Sequence, residues 1–91
     1  MQLLVYYHAK PGMLGDFIEE IYTNNIQQIV MEEKGCLQYE YFTSLEDPDT
    51  MLLVERWETE ADQQLHVTQP HCKLLQELKA KYIESTEFCK C

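Results

Sequence analysis

Apolar residues recur along this chain with two different periods, and the switches between them mark its elements. From Gln2 to Ala9 the run Leu-Leu-Val-Tyr-Tyr is rich in β-formers, and Lys10-Pro11-Gly12 breaks it with a turn. The period then lengthens: Leu14, Phe17, Ile18, Ile21, Tyr22 and Ile29 fall on one side of a helix at about 100° per residue. Asn25 falls inside the same arc, which turns a polar amide toward the interior. This helix is expected to end at Lys34-Gly35, a cation in the last turn followed by a glycine suited to the left-handed stop. Cys36 to Thr43 and Thr50 to Glu58 read as strands joined by the polar loop Ser44-Leu45-Glu46-Asp47-Pro48-Asp49, an antiparallel hairpin. Thr59 with Asp62 three residues on has the form of a capping box and predicts a short helix to about His66. Pro70 suits the first turn of another helix, on which His71, Leu74, Leu75, Leu78 and Tyr82 share an arc of about 100°. Ile83 to Phe88 reads as a last strand.

The predicted order is β-α-β-β-α-β, with the second helix broken near Val67 to Gln69. That order fits a ferredoxin-like α+β sandwich in which a four-stranded antiparallel sheet carries its helices on one face, as a single domain over residues 1–91. A sheet wetted on one side alternates apolar and polar residues, yet Leu3 to Tyr7 and Leu52 to Val54 are apolar on both faces. A second copy of the chain is the simplest cover for the face away from the helices, so a homodimer packed sheet to sheet is expected.

Charge narrows the partners. The net charge is −9, from sixteen acids against seven scattered bases, and such a surface repels nucleic acid and anionic lipid. No apolar run is long enough to span a bilayer, and the N-terminus lacks the features of a signal peptide, so the expected location is cytoplasmic. The cysteines at 36, 72, 89 and 91 show no C-x-x-C pairing, and no H-x-x-x-H accompanies them; no metal site and no disulfide framework is expected from that spacing. Cys36 and Cys72 read as small core-edge residues, Cys89 and Cys91 as free thiols.

The candidate chemistry lies in one run: Glu55-Arg56-Trp57, Thr59, then His66-Val67-Thr68-Gln69-Pro70-His71. A strand ends in a tryptophan, with Glu55 sharing its parity, and two histidines follow on helices that pack back over the strand. An acid, an indole and two imidazoles can thereby converge. Each type also has a structural use: Trp57 as core, His66 as a cap on helix carbonyls, His71 as a core-edge residue beside three leucines, and Glu55 as a cross-strand partner of Lys10.

Lys10-Pro11-Gly12, Gly35-Cys36-Leu37-Gln38-Tyr39-Glu40, Asp47-Pro48-Asp49, Glu55-Arg56-Trp57-Glu58 and the set His66, Thr68, Pro70, His71, taken in order, resemble the antibiotic biosynthesis monooxygenase (ABM) domain family from about Leu3 to Tyr82. The resemblance implies a dimeric ferredoxin-like fold with a cavity between sheet and helices. Members include oxygenases that oxidise phenols or quinols without metal or flavin, haem-degrading enzymes and isomerases of phosphorylated sugars. The haem-degrading pattern has an asparagine on strand one and an iron-ligating histidine on the last helix. Here those positions hold apolar or tyrosine residues and Gln76, and only Trp57 matches. Phosphosugar chemistry calls for cations in the cavity, and Arg56 has the opposite strand parity to Trp57.

The expected function is therefore cofactor-independent oxidation of a small aromatic phenol or quinol by molecular oxygen. The alternatives are an isomerase on the same fold and a non-enzymatic ligand-binding dimer. Such an oxygenase deprotonates a phenol in a water-poor site and holds the anion with a few donors. His66 or His71 suits the base, Trp57 the stacking and indole donor, and Glu55 the group that orients a histidine. Tyr7, Tyr39, Tyr41 and Asn25 remain as substrate-binding donors.

Overall fold

Strand β1 (Gln2–Ala9) stands at the centre of the sheet, paired on both sides, because it is apolar on both faces and carries no residue that prevents ladder bonding. The computed structural model describes residues Met1–Cys91. The sheet order is β2 (Cys36–Thr43), β3 (Thr50–Trp57), β1, β4 (Ile83–Lys90), antiparallel throughout, and the helices lie between strands in the chain as a ferredoxin-like fold requires. The register sets Val5 opposite Leu53 and Leu3 opposite Glu55, while Tyr39 of β2 pairs with Glu55 from the other side. Val5, Tyr7, Ala9, Tyr39, Met51, Leu53, Glu55 and Trp57 are buried on the helix-covered face of β1, β2 and β3, and Ile83 is buried at the start of β4.

Helix α1 (Leu14–Thr23) buries Leu14, Phe17 and Ile21, and α2 (Ile26–Met31) buries Ile26 and Val30. The sequence predicted one continuous helix to Lys34. Asn25 instead adopts a left-handed conformation (φ 54°) and separates two helices, a position that asparagine tolerates better than most residues. The break resets the phase, so Ile29 is 40% exposed and Asn25 itself faces solvent instead of the interior; Tyr22, in the last turn of α1, is 60% exposed. Beyond Met31 the chain turns through Glu33 to Gly35 (φ 81°), where a Cβ would run into the Asp62 carboxylate.

Thr59 caps α3 (Glu60–His66) as the sequence predicted, its hydroxyl accepting from the Asp62 amide at 3.1 Å. α3 stops where Val67 to Gln69 leave the helix, and α4 (Pro70–Tyr82) starts with proline at its first position. α4 lies over the sheet through Cys72, Leu75, Leu78 and Tyr82. The last strand runs two residues further than expected, to Lys90. The outer face of the sheet shows Leu4, Tyr6, Leu52 and Val54, all part-exposed, with Phe42 at 43%. No helix is long and apolar enough to cross a membrane.

Candidate functional site

Two cavities of nearly equal size lie between sheet and helices. The one beside α1, about 140 Å³, is walled by Ile18, Ile21, Tyr22, Tyr41, Thr43 and Met51 and offers two phenols and a threonine hydroxyl but no ionisable acid or base near neutral pH. The other, about 150 Å³, opens beneath α3 and α4 and holds the chemistry. Leu3, Val5, Leu75 and Phe88 form its apolar walls, and Tyr7, Tyr39, Glu55, His66, Cys72 and Lys79 bring polar atoms to it. An apolar cavity of about 150 Å³ is enough for one benzene-sized ring.

Glu55 projects from the buried face of β3 with only 6% of its surface exposed. Its carboxylate accepts the Trp57 indole N–H at 3.1 Å, an intrastrand bond that the shared parity of positions 55 and 57 makes possible. Burial holds the Glu55 carboxyl above the usual range, while the indole donor, His66 and Lys79 act in the opposite direction. Neither the expected Lys10 pairing nor a hydrogen bond from Glu55 to a histidine forms. Lys10 Nζ instead donates to the carbonyls of Ala80 and Lys81, and the Glu55 oxygen is engaged by the indole.

The residue that orients the histidines is Glu33, in the turn between α2 and β2. Its Oε2 lies 2.7 Å from His66 Nδ1 and 2.7 Å from His71 Nε2, and the carboxylate is only 15% exposed. A carboxylate only accepts, which assigns both facing ring protons to the imidazoles. The second nitrogen of His66, Nε2, lies 3.4 Å from Cys72 Sγ on a ring that lines the cavity. Trp57 lies against the same imidazole, ring centroids 4.9 Å apart and 34° from parallel. Tyr39 meets it edge-on at 5.7 Å. The His66 ring is thus held by a carboxylate, an indole and a phenol ring.

Cys72 completes the cluster. Its Sγ lies 3.5 Å from His66 Nδ1 and 3.4 Å from Nε2. Burial and the carboxylates of Glu33 and Glu55 push this thiol up to about 12, so on its own it is not a thiolate nucleophile at neutral pH. Burial likewise holds the Tyr7 and Tyr39 hydroxyls well above the ordinary phenol value, which keeps them as donors. Lys79 Nζ lies 5.3 Å from the Tyr7 ring centroid and 5.7 Å from that of Phe88, a cation over two π faces at the cavity wall. Burial lowers its value and the charge of Glu55 opposes that.

The structure therefore brings four of the eight site candidates to the cavity, His66, Glu55, Tyr7 and Tyr39, while Tyr41 lines the cavity beside α1 instead. Trp57 and His71 stand behind His66, in contact with it and outside the cavity wall, and Asn25 lies in the solvent-exposed break between α1 and α2. The Trp57 indole N–H is already spent on Glu55 and is not free for a ligand. Glu33, Cys72 and Lys79 are the additions. Lys79 carries a sequence signal, lying four residues after Leu75 and so about 40° away on the helical arc. Glu33 carries none, because it belongs to a turn.

A family model described as antibiotic biosynthesis monooxygenase matches residues 2–78. None of the curated proteins matches. Among solved structures, a Pseudomonas aeruginosa protein superposes with a TM-score of 0.89 at 19% identity, covering 99% of this chain and 89% of that one. A Nitrosomonas europaea protein assigned to the antibiotic biosynthesis monooxygenases gives 0.86 at 22% identity, covering 98% and 94%. A further structure named antibiotic biosynthesis monooxygenase gives 0.84 at 19% identity, covering 97% and 92%. At these identities the neighbours establish the shared fold, and the match of the family model over most of the sequence adds descent: the chain belongs to the antibiotic biosynthesis monooxygenase family.

Proposed function

We propose that this protein oxidises a single-ring phenol or quinol with molecular oxygen, using no metal or flavin, and that His66 removes the phenolic proton. The observation that carries the reading is the Glu33–His66 pair, whose imidazole lines a cavity of about 150 Å³. An imidazole titrates near 6.5 and a phenol near 10, a gap of about 3.5 units or roughly 5 kcal/mol. The Glu33 carboxylate narrows it by stabilising the imidazolium that forms. The Lys79 ammonium narrows it by stabilising the phenolate. The electron-rich anion passes one electron to oxygen, and recombination of the radical pair forms a C–O bond. Loss of water then leaves a quinone: one oxygen atom enters the ring, the other leaves as water, and the substrate supplies all four electrons that reduce the oxygen molecule.

The uncovered outer face of the sheet, with Leu4, Tyr6, Leu52 and Val54, supports a homodimer as the working form. Sedimentation of the pure chain at micromolar concentration tests this, and a monomer under those conditions rejects it. For the chemistry, an oxygen electrode with hydroquinones and single-ring phenols should record consumption stoichiometric with quinone. His66→Ala should lower kcat/KM by about 10²–10⁴-fold. Glu33→Gln should lower it by about 10²-fold, because the neutral amide stabilises imidazolium poorly. Full turnover in His66→Ala, or no oxygen uptake with any single-ring phenol, would reject the mechanism.

A further inference from the structure

Four of the groups around His66 have a use that phenol oxidation does not require. His66, His71 and Cys72 each bring one donor atom, a ring nitrogen or the sulfur, and these atoms lie within 4.8 Å of one another, a spacing that has to tighten by up to about 1 Å around a tetrahedral ion. Glu33 Oε2 sits 2.7 Å from both nitrogens, so a carboxylate oxygen already occupies the space between them. We infer that Glu33, His66, His71 and Cys72 form a binding site for a borderline-soft divalent transition ion of the zinc class. This goes beyond the oxygenase reading and stands without it.

The donor set decides the class of ion. Two imidazoles and a thiol select zinc, cobalt(II) and their neighbours over magnesium or calcium, which want oxygen atoms in larger number. A tetrahedral site with bonds of about 2.0–2.3 Å places its donor atoms roughly 3.3–3.8 Å apart. The 3.5 Å between Cys72 Sγ and His66 Nδ1 falls in that range. The two 2.7 Å contacts of Glu33 need to open by roughly half an ångström, because a cation replaces two protons between the same atoms. All four side chains are buried or largely so, which keeps competing water away.

Charge supports the assignment. The Glu33 carboxylate between the two imidazoles attracts a cation to this point, and thiolate ligation of an ion releases the Cys72 proton. The donors come from three separate elements: the turn before β2, the end of α3 and the first turn of α4. Such a site ties the helical layer to the sheet edge. It also withdraws His66 Nδ1 from Glu33, so occupancy and proton abstraction by His66 exclude one another.

The test uses cobalt(II) as the probe, with the full-length chain carrying Cys89→Ser and Cys91→Ser so that the two exposed thiols do not contribute. After chelator treatment, titration should give one cobalt per chain, with near-ultraviolet thiolate-to-cobalt charge transfer and intense visible bands of tetrahedral geometry. Zinc should displace the colour at one equivalent. Cys72→Ser should abolish the charge-transfer band, and His71→Gln, a mild change at a half-buried position, should weaken binding at least about 10-fold. Absence of the band in the Cys89/Cys91 variant, or its survival in Cys72→Ser, overturns the inference. Neither readout involves turnover, so the two proposals fail separately.

Discussion

At the α1 end of the helical layer, Phe17 sits fully buried between Tyr7 and Tyr82, with ring centroids 5.7 and 6.3 Å away. At its rim the Tyr82 hydroxyl donates to Glu20 at 3.2 Å, and the buried Tyr41 hydroxyl in the cavity beside α1 has no partner. At the other end, around the α3–α4 junction, comparable depth below the surface is filled by Glu55, His66, Glu33 and Cys72 with Trp57 behind them. One end gains stability from hydrocarbon removed from water. The other uses an equally protected volume for groups that are stable there only because each has a partner. Within one small fold, the core and the site are therefore adjacent regions with different rules, and substitutions separate them.

The largest effect is expected at the apolar end. Phe17→Ala should cost about 3–5 kcal/mol in urea unfolding, from lost transfer free energy and the cavity left behind. An unchanged midpoint would mean that α1 does not hold the fold as its burial implies. At the polar end, Trp57→Phe keeps most of the packing and deletes one donor, for a cost of about 1–3 kcal/mol at neutral pH because the buried Glu55 carboxyl loses its bond.

The sign of the pH dependence follows from Glu55. Its carboxyl is held above the ordinary value in the folded state, so ionising it costs the fold free energy. Stability from this group is greatest below the ordinary carboxylate value and falls as pH rises toward the folded one. Removing the indole donor extends that window upward. The difference between Trp57→Phe and the parent should therefore shrink from neutral pH to about pH 4, and a constant difference would show that packing alone is lost. The smallest effect is at Asn25, where alanine has to adopt the left-handed conformation at about 1–2 kcal/mol. Turnover in Asn25→Ala should equal that of the parent, and a loss of activity would return this residue to the site.

The strands, the hairpin and the capped start of α3 were legible in the sequence because each rests on local chemistry: β-branched and aromatic runs, a polar loop, and a threonine with an aspartate three residues on. The break at Val67 to Gln69 was legible too, and it explains the histidines. In an unbroken helix residues five apart point about 140° away from each other. The interruption lets His66 and His71 turn toward one carboxylate, their ring centroids 6.1 Å apart. A search for H-x-x-x-H spacing presumes a continuous helix and passes over this pair.

The first helix misled for the opposite reason. Its apolar positions fit one phase until Asn25, whose left-handed backbone leaves no trace in a periodicity count. From Ile26 to Lys34, including the turn that delivers Glu33, the chain therefore departs from the continuous helix that the periodicity predicts. Trp57 was correctly placed near His66, but pairing of its N–H with Glu55 depends on side-chain packing that strand parity alone does not specify.

Gly35 has the last consequence. Its positive φ and the Asp62 carboxylate standing where a Cβ would go are two independent objections to any side chain, and they act at the contact between the Glu33 turn and α3. A mutational walk away from glycine meets both at its first step, since even one methyl group has to displace α3 while adopting a disfavoured backbone. The spacing between the carboxylate and the imidazoles is thus guarded by a residue with no functional group, at which drift would be felt as lost chemistry.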